Sequence, residues 1–412
     1  MVYRIRKDNR IIKGNIFLSG SKSISNRVLM IEALCNSSFN KKNLALANDT
    51  VLLERLLSSS ENIFDAQDAG TTFRFLTAYL ALKKGEWILT GSERMKQRPV
   101  GDLVNALRHL GAEISYSAKE NFPPLKITGG KITGDYVRVN ANISSQFISA
   151  LLMIAPCLKK GLTIALEGDV VSKSYIEMTL QVMKYFGIHY SQTGNAISIE
   201  SQEYKPQDIF IESDWSAASY YYEMAAFADA VDIKLHGLME NSFQGDQAVA
   251  GFMKDLGVET IYNEHKIILS KIKPPVRSEL ILPDFPLSLT SFPDLAPALF
   301  VTAVGRSAKI SFSGLEHLKY KESNREEALR SELGKCGIRL LKTNGIISVS
   351  GRFSATHPRF STYHDHRIAM SLAPLAMLCD AVDIEDPLVV NKSYPAFWND
   401  LKTIGFKVDQ QA

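Results

Sequence analysis

The sequence predicts a mixed α/β protein of about six related units of helix and strand, arranged as three plus three. Three observations carry that reading. An amphipathic helix that ends at a glycine, followed by strand, turn and strand, recurs at ALRHLGAEISYS, VMKYFGIHYSQTGNAISIE, FMKDLGVETIYNEHKIILS and LGKCGIRLLKTNGIISVSG, and the final LKTIGFKV reads as a fifth copy cut short by the C-terminus. The helix-ending glycines, Gly111, Gly187, Gly257, Gly337 and Gly405, lie 76, 70, 80 and 68 residues apart. Glycine suits that place because it enters the left-handed conformation without strain. Between the copies sits a second kind of helix, opened by a polar cluster and apolar thereafter.

Along the chain, Asn15 to Leu18 reads as a strand, and Ser19-Gly20-Ser21-Lys22-Ser23-Ile24-Ser25-Asn26-Arg27 as a turn into a helix. That turn is either a serine-rich cap with two exposed cations or a phosphate cradle; the spacing of Gly20 and Lys22 is not that of a Walker A loop. VLLERLLSSSENIF falls where the period places another copy, yet leaves no room for a hairpin, so it reads as a truncated unit. Asp68-Ala69-Gly70-Thr71-Thr72-Phe73-Arg74 is a second small-residue turn into a helix. Arg94-Met95-Lys96-Gln97-Arg98-Pro99 packs three cations into five positions, against a proline that stiffens the loop. Ser144-Ser145-Gln146 and Ser172-Lys173-Ser174-Tyr175 open two further helices, and in both capping competes with anion binding.

In the second half, Asp294 precedes an apolar helix, as an N-cap or as a carboxylate base. Lys321-Glu322-Ser323-Asn324-Arg325 reads as the start of a helix, with Lys321 and Arg325 four apart on one face. Such a pair repels unless an anion lies between, and Glu322 beside it is a candidate proton-transfer group. His364-Asp365-His366-Arg367 contains His-x-His, but no further ligand stands at metal spacing and Arg367 repels a cation. Lys392 lies in Asn-Lys-Ser-Tyr-Pro near the last helix.

Composition narrows the function. Lysine and arginine exceed aspartate and glutamate by 47 to 44, too mild a surplus to imply nucleic acid. The longest apolar run, Phe147 to Leu158, is well short of the ~20 residues of a membrane span. Met1 to Lys7 lacks the apolar core expected of a secretory leader, and Cys35, Cys157, Cys336 and Cys379 are scattered without a CxxC pair. The expectation is a cytoplasmic monomer with free thiols, no metal and no cofactor, whose cations hold small, multiply anionic ligands.

These stretches, taken in order, resemble the 5-enolpyruvylshikimate-3-phosphate synthases of the enolpyruvyl transferase family. The resemblance rests on GSKSISNR, DAGTTFRFL, RMKQRP, SSQFISALLM, VSKSYI, Gln244-Gly245-Asp246, Pro293-Asp294, KESNR, DHRIAM and KSYP, which run in family order from Gly20 to Pro395. It implies a two-lobed, inside-out α/β barrel with three βαβαββ repeats per lobe, the first truncated. Residues 21–211 would form one lobe, binding mainly shikimate 3-phosphate, and residues 1–20 with 212–412 the other. The implied reaction moves the enolpyruvyl group of phosphoenolpyruvate to the 5-hydroxyl of shikimate 3-phosphate and releases phosphate, on the route to chorismate and aromatic amino acids.

The resemblance also implies roles. Lys22, Ser23, Arg27, Ser144, Ser145, Gln146, Ser172, Tyr175, Asp294 and Lys321 would hold shikimate 3-phosphate. Lys22, Gly70, Arg98, Gln146, Arg325, Arg367 and Lys392 would hold phosphoenolpyruvate. Asp294, Glu322 and Lys22 would be catalytic. Three positions depart from the family pattern: Phe75 stands where many members have proline, and His317 and His364 stand where asparagine is common. Two rivals are a UDP-N-acetylglucosamine enolpyruvyl transferase and a non-catalytic anion-binding protein on the same fold. The first carries a reactive cysteine that the loop Arg94 to Pro99 lacks; the second would dispense with Asp294, Glu322 or Lys22, and all three are present.

Overall fold

The computed structural model describes residues 1–35, 37–142, 144–272 and 286–411. The chain divides into two compact units, Ser21–Ile211 and Met1–Gly20 with Glu212–Ala412.

One strand order generates both units. In the sheet of Ile63–Asp65, Gly85–Thr90, Leu125–Gly129 and Glu113–Tyr116, the first pair is parallel and the other two are antiparallel. Among the described residues the four other four-stranded sheets repeat that order. A two-stranded parallel sheet of Lys41–Lys42 and Ile209–Phe210 stands for the sixth, which is the truncated repeat. All five helix-ending glycines adopt positive φ, from +82° at Gly337 to +101° at Gly111, with Gly187 at +84° and Gly257 and Gly405 both at +88°.

The fifth copy is not cut short. Its strand Lys407–Gln411 pairs antiparallel with Val2–Arg6, which pairs in turn with Val382–Glu385. The N-terminal strand therefore supplies the missing arm of the last hairpin. The next strand, Ile11–Phe17, lies parallel to Ala230–His236 in another sheet of the same unit. Residues 1–20 are thus held to the C-terminal half by two ladders.

Each unit keeps its apolar helices inside. Trp215–Phe227 is buried along its whole length, and Ala296–Gly305 and His366–Leu372 pack with it. In the other unit Lys22–Leu34, Gly70–Leu82 and Ser145–Ile154 pack together in the same way. A helix that is apolar all round has no face for water, which places it in the core. The sheets alternate instead, as in Tyr136–Asn140, where Val137 and Val139 are buried and Tyr136, Arg138 and Asn140 exposed. They put one face on the helices and the other in solvent. The polar N-termini of the buried helices carry most of the candidate residues.

Candidate active site

In unit Ser21–Ile211 the side chains converge on three helix starts. Ser21 caps Lys22–Leu34 by accepting from the backbone N–H of Ile24. The Lys22 ammonium lies 3.4 Å from Asp49 Oδ2, both nearly buried. Asp49 also accepts, through its backbone carbonyl, from the Thr72 hydroxyl at 3.1 Å, and so ties Lys22 to the helix of Gly70.

Arg27 is buried, and its guanidinium donates to Thr179 Oγ1 at 2.7 Å, Ser23 O at 2.8 Å, and Ser149 Oγ and Tyr175 O at 3.1 Å. Burial pulls its pKa down to about 10, so it stays charged at neutral pH. Its guanidinium lies 5.6 Å from the Phe75 ring centroid, which gives the Phe75 departure a packing role. Arg27 is a staple between helices, with Ser23 and Tyr175 among its backbone partners.

Gly70 opens the next helix. A Cβ there would lie 2.5 Å from Arg98 Nη1, so the guanidinium rests directly on the Gly70 backbone. Arg74 fixes that arrangement by donating to Gly70 O at 3.0 Å and Pro99 O at 3.3 Å. Arg98 is nearly buried, and its Nε has no hydrogen-bond partner among the described residues. Ser144 caps Ser145–Ile154, and Gln146 Nε2 donates to Thr71 Oγ1 at 3.0 Å, joining that helix start to Gly70. Ser172 is buried at φ +54° and makes no side-chain cap bond to its helix.

In the other unit the centre is Arg325, 1% exposed. It donates to Asp365 Oδ2, Asp294 Oδ1 and Glu322 Oε2, each at 2.9 Å. Arg367 donates to Asp294 Oδ2 at 2.7 Å, and Lys392 stands 4.0 Å from Glu322. Burial alone would push the Asp294 carboxyl up, but Arg367, Arg325 and Lys321 outweigh it and hold Asp294 far below the usual carboxylate range. Burial pulls on Arg325 too, and Asp365, Glu322 and Asp294 overcome it and hold the guanidinium charged.

One alternative is excluded and one expectation is corrected here. Asp294 is not an N-cap: the helix Ala296–Gly305 follows Leu295 and has no side-chain cap, and the carboxylate faces the arginines. Lys321 and Arg325 do not share a helical face. Asn324 caps the helix by accepting from the backbone N–H of Glu327, so the helix begins at Arg325 and residues 321–323 precede it. The anion that offsets their repulsion is the chain's own Asp294.

Several contacts at the site are not foreseen by the sequence. Asp365, at 0% exposure, takes Arg325 and the Ser323 hydroxyl and caps the helix of Arg367 by accepting from its backbone N–H. Asp49 is the partner of Lys22. Asp246, third residue of the Gln-Gly-Asp stretch, is buried and accepts from the Ser216 hydroxyl, while its Oδ1 has no hydrogen-bond partner among the described residues. Burial and the Asp294 charge raise it to about 7. His317 is buried near Lys321, Asp294 and Arg325; burial first, then Lys321, brings its pKa down to about 3, so the imidazole is neutral. Among the described residues no cluster of three metal-ligating side chains is found.

The comparisons with known proteins match the fold. An EPSP synthase of Acinetobacter baumannii superposes with a TM-score of 0.78 at 22% identity, over 99% of this chain and 100% of the other. An enolpyruvyl transferase of Streptomyces tendae does so with a TM-score of 0.74 at 14% identity, over 100% and 99%. The fold is that of the enolpyruvyl transferases.

Sequence narrows the class further. The 3-phosphoshikimate 1-carboxyvinyltransferase of Bacteroides fragilis is 45% identical over 401 residues, 96% of each chain, and that of Marinomonas is 34% identical over 95% and 96%. The family model for EPSP synthase (3-phosphoshikimate 1-carboxyvinyltransferase) matches residues 47–401. The chain belongs to the EPSP synthase family.

Proposed function

We propose that this chain transfers the enolpyruvyl group of phosphoenolpyruvate to the 5-hydroxyl of shikimate 3-phosphate by addition and elimination, with Asp294, Glu322 and Lys22 handling the protons. The observation that carries the assignment of roles is the Arg325 centre, where one guanidinium orients two carboxylates suited to opposite tasks.

Ser23, Arg27, Ser144, Ser145, Gln146, Ser172, Tyr175 and Lys321 hold shikimate 3-phosphate with Lys22. Gly70, Arg98, Arg325, Arg367 and Lys392 hold phosphoenolpyruvate, with Gln146 contacting both substrates. The phosphoenolpyruvate anion offsets the charges of Arg367 and Arg325, which relaxes their grip on Asp294 and raises its affinity for a proton when substrate is bound. The 5-hydroxyl oxygen then bonds to C2 of phosphoenolpyruvate as its proton passes to Asp294. Glu322, beside Lys392, delivers a proton to the C3 methylene with help from Lys22, giving a tetrahedral ketal phosphate. Glu322 next takes a proton back from the C3 methyl as the C2–O bond to phosphate breaks. The products are the enol ether and inorganic phosphate, and the cations stabilise the charge that develops on the leaving group.

Among the described residues no helix is long and apolar enough to cross a membrane. The reading includes a monomer working in the cytoplasm without a cofactor. Turnover in deuterium oxide tests the proton roles: deuterium enters the C3 methylene of product in the wild type, and Glu322→Gln suppresses that entry. Unchanged deuterium entry in Glu322→Gln would remove Glu322 from the mechanism.

A further inference from the structure

Tyr363 and His364 form a turn that the proposed chemistry does not use. Both are left-handed, at φ +53° and +55°, and neither is glycine. Consecutive residues held in that region persist only where the surroundings fix them. Here two side-chain contacts do so. The Tyr363 hydroxyl donates to Glu332 Oε1 at 2.7 Å, and the backbone N–H of Ser361 donates to Glu332 Oε2 at 3.0 Å. His364 Nδ1 meets Asp386 Oδ2 at 2.9 Å, and Asp386 is itself left-handed at φ +46°.

The far ends of these contacts are informative. Glu332, 1% exposed, sits seven residues after Arg325 on the helix Arg325–Gly334, about two turns along. Asp386 immediately precedes the short helix Pro387–Lys392, whose last residue is Lys392. The turn itself leads into Asp365 and Arg367. Three cations on three separate segments are therefore tied to a single two-residue joint, one through Glu332, one through Asp386 and one through the chain.

We propose that Tyr363 and His364 are positioning residues that set the spacing of Arg325, Arg367 and Lys392, and so the fit of the phosphoenolpyruvate anion. This rests on the assignment of those three cations to phosphoenolpyruvate. His364 is 88% exposed at its side chain, so it acts through Asp386 and not by touching substrate.

The test is steady-state kinetics on His364→Gly, Asp386→Gly, the double variant, Tyr363→Phe and Arg367→Gln, with both substrates varied and each variant's melting temperature recorded. Glycine keeps the left-handed backbone and removes only the contact. The KM for phosphoenolpyruvate is expected to rise roughly threefold in His364→Gly and Asp386→Gly, as befits an exposed pair. Tyr363→Phe, which loses a part-buried bond to a carboxylate, should raise it about tenfold. The KM for shikimate 3-phosphate stays fixed, and the double variant costs no more than the larger single one because both remove the same bond. A lowered melting temperature with no change in the ratio of the two KM values would mean the joint only stabilises the fold, and would overturn the proposal. Arg367→Gln separates the premises. If it raises the phosphoenolpyruvate KM while the joint variants do not, the joint fails alone. If it too has no effect, the assignment of the cations falls and the joint with it.

Discussion

Gly70→Ala probes the anion site through a single methyl group. The added carbon would lie 2.5 Å from Arg98 Nη1, 2.9 Å from Arg98 Cζ and 2.8 Å from Arg74 Nη1, where ordinary contact begins at 3.4 Å. Something must move by about 1 Å. Arg74 is held by Gly70 O and Pro99 O and gives only a little, so the larger shift falls on Arg98. The backbone does not object, because Gly70 is the first residue of a helix and alanine is the better helix former by about 1 kcal/mol. The expected cost is therefore in recognition, not folding. A misplacement of about 1 Å at a binding group costs up to roughly 100-fold. Steady-state kinetics should show the KM for phosphoenolpyruvate raised between about tenfold and 100-fold, with that for shikimate 3-phosphate unmoved and the melting temperature retained. An unchanged KM for phosphoenolpyruvate would refute the placement of Arg98 against that ligand. An equal rise for both substrates would refute its selectivity.

Other consequences follow from the same contacts. Arg325→Met strips the shared cation from Asp294, Glu322 and Asp365, so thermal melts should show a loss of about 3–5 kcal/mol along with activity, and an unmoved melting point would contradict the buried-centre reading. Asp246 has a folded pKa raised from 3.8 to about 7, so the native state binds its proton more tightly than the unfolded chain does. Its contribution to stability is present below pH 3.8 and declines as pH rises through about 7. Denaturant melts across that window should show the decline in the wild type and less of it in Asp246→Asn, and parallel curves would exclude Asp246 as its source. Phe75→Leu removes the ring against Arg27, worth about 1 kcal/mol, and should raise the KM for shikimate 3-phosphate roughly fivefold without altering kcat.

The repeat was legible because its period is written in local chemistry. A glycine past each helix and alternating apolar residues in each hairpin need only short-range rules, and Gly111, Gly187, Gly257, Gly337 and Gly405 all take the left-handed conformation those rules require. The closure of the last sheet was not legible. Val2–Arg6 pairs with Lys407–Gln411 across some 400 residues, and nothing near either strand announces the other. The site divides in the same way. Cations and polar helix openings stand out in a sequence, and the ordered motifs tie them to a family. Their partners do not stand out. Asp49 and Glu332 are ordinary carboxylates in helical stretches, and Asp365 reads as a cap, until the fold brings Lys22, Tyr363 and Arg325 to them. Asp294 stayed open for a related reason: a carboxylate before an apolar helix fits a cap or a base, and only the positions of Arg325 and Arg367 exclude the cap.

The most direct test of the account is phosphate release from phosphoenolpyruvate in metal-free buffer, with shikimate 3-phosphate or UDP-N-acetylglucosamine as acceptor, for the wild type and Asp294→Ala. Release is expected to require shikimate 3-phosphate and to be abolished in Asp294→Ala while the variant stays folded. Release that follows UDP-N-acetylglucosamine, or that persists without Asp294, would contradict it.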